Sequence, residues 1–197
     1  RYAKFNDTAY KLEPNIKESP GGLRDLHIIL WLARSLLIAK EKNNLQAVFS
    51  SSDTEIWAWL VTQKIVSEAE VKKIKWHEKK LQKLRINLHF LSQRREDRLL
   101  FDFQNELAST LGYVTNARKR ASEQLMQSYY RSVKFVQMMN EIIFKSLQQL
   151  VSTDPPMVKS INAKFESRNQ LLESKSASLL RHDPEAIFEA FLLLQQH

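Results

Sequence analysis

Only three of the 197 residues are glycine, and two of these, Gly21 and Gly22, stand side by side. A sheet-rich or loop-rich chain uses glycine wherever its backbone must pass through positive φ, so this scarcity points to an all-α fold. Apolar residues support that reading. Leu23, Leu26, Ile29, Leu30, Ala33, Leu36 and Leu37 recur at helical spacing and predict a first long helix over about 22–42. Asn43-Asn44 ends it, and a short helix is expected over Leu45 to Phe49. Ser52-Asp53-Thr54-Glu55 and Ser67-Glu68-Ala69-Glu70 both spell a capping box, and the second opens a long basic helix to about Ser92. Asp102 to Leu111 forms a shorter helix, stopped by Gly112. From Asn116 the stripe Leu125, Tyr129, Val136, Ile143, Leu147 and Leu150 predicts the longest helix, ending before Asp154-Pro155-Pro156. The alternation of Ile161, Ala163 and Phe165 suggests a small β-hairpin near 159–173, with Arg168-Asn169 as its turn. Asp183-Pro184-Glu185 reads as the start of a last helix carrying Phe188, Phe191 and Leu194. The expected architecture is a bundle of long antiparallel helices with that one hairpin appended.

Cysteine is absent, which excludes disulfides, thiolate metal sites and a cysteine nucleophile. The longest apolar run, Leu26 to Ala39, is broken by His27 and Arg34, so it reads as a buried helix and no membrane span is expected. The first residues are polar and mixed in charge, unlike a signal peptide. With no initiator Met, the chain is expected to begin inside a longer, cytoplasmic protein.

The net charge of +8 is concentrated. Between Ser67 and Arg95, Lys72, Lys73, Lys75, Lys79, Lys80, Lys83, Arg85, Arg94 and Arg95 face only Glu68, Glu70 and Glu78. Such a run suits nucleic acid or an acidic partner. However, Val71, Ile74, Leu81, Leu84, Leu88 and Leu91 form an apolar stripe among these cations, and Trp76 alone could stack a base. A solvated helix face is the preferred reading. A stand-alone interaction module using this helix is kept as the alternative function.

Two segments are dense in constrained or charged residues. Glu13 to Asp25 reads EPNIKESPGGLRD and sets a Pro-Gly-Gly turn at the mouth of the first helix. Arg94 to Asp102 reads RREDRLLFD. The second segment is open to two readings, an active-site wall or a corner fixed by ion pairs. The histidines suggest no catalytic centre. His27, His77 and His89 lie on or beside apolar stripes, and Asp183 of the His182-Asp183 pair is better explained as a helix cap than as a metal ligand. No metal site and no catalytic residue is therefore assigned.

EPNIKESPGGLRD followed by HIILWLAR resembles the hallmark stretch of the bifunctional PII uridylyltransferase/uridylyl-removing enzymes, bacterial nitrogen sensors. REDRLLFD with Gln104, Leu107-Ala108 and Leu111-Gly112-Tyr113 is similar to a second signature of that family, and Leu125-Met126 with Tyr129-Tyr130 and Arg181-His182-Asp183-Pro184 also fit. The likeness runs from about Tyr2 to His197.

The resemblance implies an enzyme that moves UMP from UTP to a tyrosine of the PII signal protein and removes it hydrolytically. The family combines a nucleotidyltransferase domain, a helical domain, an HD phosphohydrolase domain and two glutamine-sensing ACT domains. Residues 1–22 would then connect from the transferase domain, 23–153 would form the helical bundle, and 154–197 would lead toward the HD domain. The transferase's Gly-Gly-Ser and Asp-x-Asp elements, which hold Mg2+ and UTP, are absent from this chain, since Gly21-Gly22 is followed by leucine. The piece is expected to bind neither tightly and to partner the flanking domains and PII. By this analogy Lys17 would bear on phosphate charge, and Arg24 would pair with phosphate or a neighbouring carboxylate. Gly21 and Gly22 would permit close approach, while Glu18 and Asp25 would orient the cations. Arg95, Asp97 and Arg98 rank second, for the same cleft or a domain interface. The competing reading makes Pro20-Gly21-Gly22 merely the turn that launches the first helix, with Asp25 at its positive end.

Overall fold

The structure, a computed structural model, describes residues 11–40, 52–151, 158–168, 171–176 and 178–196. The chain divides into two compact units, Arg1–Val151 and Ser152–His197. The first unit contains α1 (Leu23–Lys40), α2 (Asp53–Thr62), α3 (Glu68–Ser92), α4 (Phe101–Thr110) and α5 (Ala121–Val151). The helix expected over 45–49 lies outside the described residues.

The longest helix is the axis of this unit. α5 packs against α1, α3 and α4, while α2 rests on α1. Leu26, Ile29 and Ala33 of α1 meet a core shared with Ile74, Leu81 and Leu88 of α3 and with Val133, Val136, Met139 and Ile143 of α5. Each large apolar side chain buried this way contributes about 1.5–3 kcal/mol, so the bundle stands without a metal or disulfide. The lysines of α3 lie around its apolar stripe, with Lys72, Lys73, Lys79 and Lys83 exposed.

Both capping boxes form. Ser52 Oγ accepts from the Glu55 amide at 3.3 Å, and Glu55 Oε2 accepts from the Ser52 amide at 2.6 Å. Ser67 and Glu70 repeat the exchange at the head of α3, at 3.3 and 2.8 Å. α5 starts at Ala121, five residues after Asn116, where the apolar stripe suggested it would begin. The reason is local. Asn116 Oδ1 accepts from the amides of Arg118 and Lys119 at 2.9 Å each, which closes an Asx turn instead of a helical one.

The second unit holds β1 (Val158–Ser160), β2 (Phe165–Arg168), β3 (Leu171–Ser174), α6 (Leu179–His182) and α7 (Ala186–Gln196). The expected hairpin is present, and a further strand extends it to an antiparallel sheet of order β1-β2-β3. Asn162 turns the chain between β1 and β2, its Oδ1 accepting from Lys164 and Phe165 amides at 2.9 and 2.8 Å. Asn169, the second half of the expected turn, lies outside the described residues, and Arg168 ends β2. Asp183 precedes α7 and pairs with Lys164 Nζ at 2.9 Å. Among the described residues no helix is long and apolar enough to cross a membrane.

Two glycines separate steric exclusion from backbone conformation. Gly21 has φ +75°, and a Cβ there would lie 2.0 Å from the Val133 carbonyl oxygen; Gly112 has φ +83° with open space around it. Gly112→Ala should cost about 1–2 kcal/mol, the left-handed penalty alone. Gly21→Ala adds a backbone collision and should cost at least about 3 kcal/mol. Urea denaturation of the two variants measures the difference, and equal losses would show that α5 gives way.

Candidate functional site at the head of the first helix

The two charged segments singled out by sequence meet in space. Asn15 and Arg98 form an isolated antiparallel bridge. The Ile16 amide donates to the Asp97 carbonyl at 2.8 Å, and the Leu99 amide donates to the Pro14 carbonyl at 2.9 Å. Glu13 reaches across the same junction. Its Oε1 accepts from the Phe101 amide at 3.0 Å, supplying the cap that Leu100 has no side chain to give α4. Its Oε2 pairs with Arg98 at 3.4 Å. Buried Gln104 ties the segments from below, donating to the Leu12 and Leu99 carbonyls at 3.1 and 2.8 Å.

Within 13–25 the polypeptide is held by its own short side chains. Asn15 Oδ1 accepts from the Lys17 and Glu18 amides at 3.0 and 2.7 Å, and Ser19 Oγ accepts from the Asn15 amide at 3.0 Å. The amides at the start of α1 are already used. Leu23 donates to the Ile16 carbonyl at 3.1 Å, Arg24 to Lys17 at 2.9 Å and Asp25 to Gly22 at 3.0 Å. The helix mouth therefore presents no open row of N–H groups to an anion, unlike a phosphate-binding turn.

Gly21, Gly22 and Asp25 are buried and serve the turn. Asp25 Oδ2 accepts from the Gly21 amide at 2.7 Å. The close approach that Gly21 permits is to Val133 of α5. A side chain on Gly22 would strike the Ile16, Lys17 and Ser19 carbonyls, at 2.7–2.8 Å. These three residues thus follow the helix-launching reading. Lys17, Glu18 and Arg24 remain at the surface. Arg24 donates to Glu18 Oε1 through Nε at 3.2 Å and Nη2 at 3.0 Å. Lys17 has no carboxylate partner among the described residues.

Sequence reasoning missed two residues on this face, His27 and Trp31. They lie three and seven positions beyond Arg24, which is one side of a helix. The Arg24 guanidinium sits 5.6 Å from the Trp31 ring centroid, and His27 lies 6.1 Å from it. Trp31 is 52% exposed, unusual for so large an apolar group on an otherwise packed helix. Partial burial, then the charge of Arg24, pushes His27 below its ordinary pKa. The signal for both was the spacing from Arg24, hidden among residues read as core.

The second-rank residues separate. Asp97 ties α3 to the segment, accepting from Arg85 Nε at 2.5 Å with His89 Nε2 at 2.9 Å. Partial burial pushes its carboxyl upward, but the hydrogen bonds from Arg85 and His89 outweigh this and hold it below the usual carboxylate range. Arg98 pairs with Glu13. Arg95 is exposed and makes no ion pair among the described residues. Of the two readings left open for 94–102, Asp97 and Arg98 fit the corner fixed by ion pairs.

Residues 1–144 match the family described as GlnD PII-uridylyltransferase. The chain is 41% identical over 199 residues to the bifunctional uridylyltransferase/uridylyl-removing enzyme of Thiobacillus denitrificans, covering 100% of this chain and 21% of that protein. The enzymes of the same name from Ralstonia nicotianae and Nitrosospira multiformis are 40% and 41% identical, again over 100% of this chain and 21% of theirs. The chain thus spans about a fifth (21%) of the length of these curated relatives. No solved structure matches it.

The Asp97 contacts carry a pH signature. A carboxyl held low in the folded state stabilises the fold above its unfolded pKa, and this contribution is lost as pH falls through the folded value. Asp97→Asn should therefore melt below the parent at neutral pH. The gap should close below about pH 4, where the unfolded carboxyl protonates. Melting curves across acid pH test this, and a gap independent of pH would refute it.

Proposed function

The chain belongs to the PII-uridylyltransferase family, and from that premise we propose that its bundle is the helical wall of a longer enzyme's nucleotide cleft. The whole enzyme transfers UMP from UTP to a tyrosine of the PII signal protein and removes it by hydrolysis, in the service of nitrogen sensing in the cytoplasm. The carboxylates that hold Mg2+ and UTP belong to a flanking nucleotidyltransferase domain, and the hydrolytic metal site to a flanking HD domain. This chain contributes cations on a rigid mount and is not expected to bind nucleotide tightly alone.

The observation that carries the reading is the division of labour in 13–25. The buried residues Gly21, Gly22 and Asp25 fix the backbone, while Lys17 and Arg24 stand outside it on the same short stretch. Helix initiation explains the first set and leaves the second without a structural task. The Arg24–Glu18 pair is about one-third exposed on both sides (28% and 33%) and adds little stability. What it does is orient the guanidinium, with Trp31 as its second support. An oriented guanidinium and a lysine with no carboxylate partner among the described residues suit the charge that develops during phosphoryl-group chemistry. The stand-alone module built on α3 gains no comparable support, since Lys72, Lys73 and Lys79 are exposed around a packed stripe.

In the full-length enzyme, Lys17→Ala and Arg24→Ala should each lower kcat/KM for UMP transfer to PII by about tenfold to a hundredfold, the worth of a hydrogen bond to a charged group. Melting temperature should be unchanged, because both side chains are surface groups. His27→Ala and Trp31→Ala should give smaller losses through the positioning of Arg24. Transfer rates unchanged in both cation variants would remove the assignment.

A further inference from the structure

We propose that the cleft between α3 and α5 is a binding site for a small carboxylate with an apolar body, separate from the face formed by Lys17 and Arg24. The cleft has a volume of about 210 Å3, and Leu81, Leu84 and Leu125 are among its walls. Leu111 and Tyr113, just beyond α4, complete its lining. Concave, mostly apolar pockets with a few convergent polar groups are the usual form of a small-molecule site.

Three polar features mark which chemistry fits. Lys80 and Lys83 both line the cleft, and neither has a carboxylate partner among the described residues. Lys80 is partly buried, its Nζ 5.0 Å from the Trp76 ring centroid and donating to the Ser128 carbonyl at 3.3 Å. Partial burial and the nearby Arg131 both lower its pKa, so its charge is undercompensated. Third, Tyr129 lines the cleft at 2% exposure, and its hydroxyl has no hydrogen-bond partner among the described residues. A buried hydroxyl normally finds one. By contrast, the other hydroxyls are engaged, Tyr113 donating to Ser128 Oγ at 2.9 Å and Ser132 to the Ser128 carbonyl at 3.1 Å. An anionic head would answer the two ammonium groups, and an apolar body would fill the leucine-lined remainder.

Octanoate is the probe, titrated into the 197-residue chain with amide chemical-shift mapping, and octan-1-ol serves as the uncharged comparator. Saturable binding is expected, with shifts confined to residues 80–84, 111–113 and 125–132. Replacing the head by a hydroxyl, or combining Lys80→Gln with Lys83→Gln, should weaken binding by about tenfold or more. Tyr129→Phe should weaken octanoate by about fivefold while leaving Tm unchanged or raised, because its hydroxyl has no hydrogen-bond partner among the described residues. Absence of saturation overturns the proposal, as do shifts spread over exposed apolar residues such as Phe188 and Phe191. So do unchanged affinity in the lysine variant, and a Tyr129→Phe variant that loses Tm and keeps its affinity.

Discussion

A missing side chain governs the N-terminal unit. The turn at Pro20-Gly21-Gly22 lies against the backbone of α5 because Gly21 brings no Cβ to the Val133 carbonyl, 2.0 Å from where one would stand. That contact sets where α1 begins relative to the longest helix. It also leaves the preceding loop's carbonyls facing inward, where they take up the first amides of α1. In most helices a side chain or water performs this capping. Here the backbone does it, and so Lys17 and Glu18 of the loop are not drawn into capping the helix they precede.

The same economy operates across the junction with 94–102. Glu13, Gln104 and Asp97 each satisfy backbone or charged groups contributed by another segment. What sequence presents as two separate clusters of charge is one surface patch with a polar frame. The frame is built from groups whose partners lie within the chain, and the cations that remain, Lys17 and Arg95, are those with no partner among the described residues. A loop braced in this way can hold a cation near a reacting phosphate without the loop itself being part of the chemistry.

Much of this was legible beforehand, for identifiable reasons. Capping boxes at Ser52 and Ser67 and the stop at Gly112 are local signals, and local signals survive tertiary context. The start of α5 was not legible because an Asx turn at Asn116 competes with helix using the same residue types. The grouping of Lys17 with Arg24 could be read from their wording, but the bridge to Arg98 could not, since nothing local specifies a pairing across so long a stretch of sequence. Trp31 and His27 were lost inside an apolar run whose periodicity hid which of its members face outward.

The partners that order residues 11–16 are remote: Glu13 bonds residues 85 and 88 positions away, Leu12 one 92 away, and Lys11 accepts from Tyr130, 119 positions on. Contacts of such range form only after the intervening loops have closed. The ordering of this loop is therefore expected to follow the docking of α4 and α5. The loop that carries Lys17 thus draws its fixed shape from α4 and α5, and a change that loosens either helix reaches it without touching its own residues.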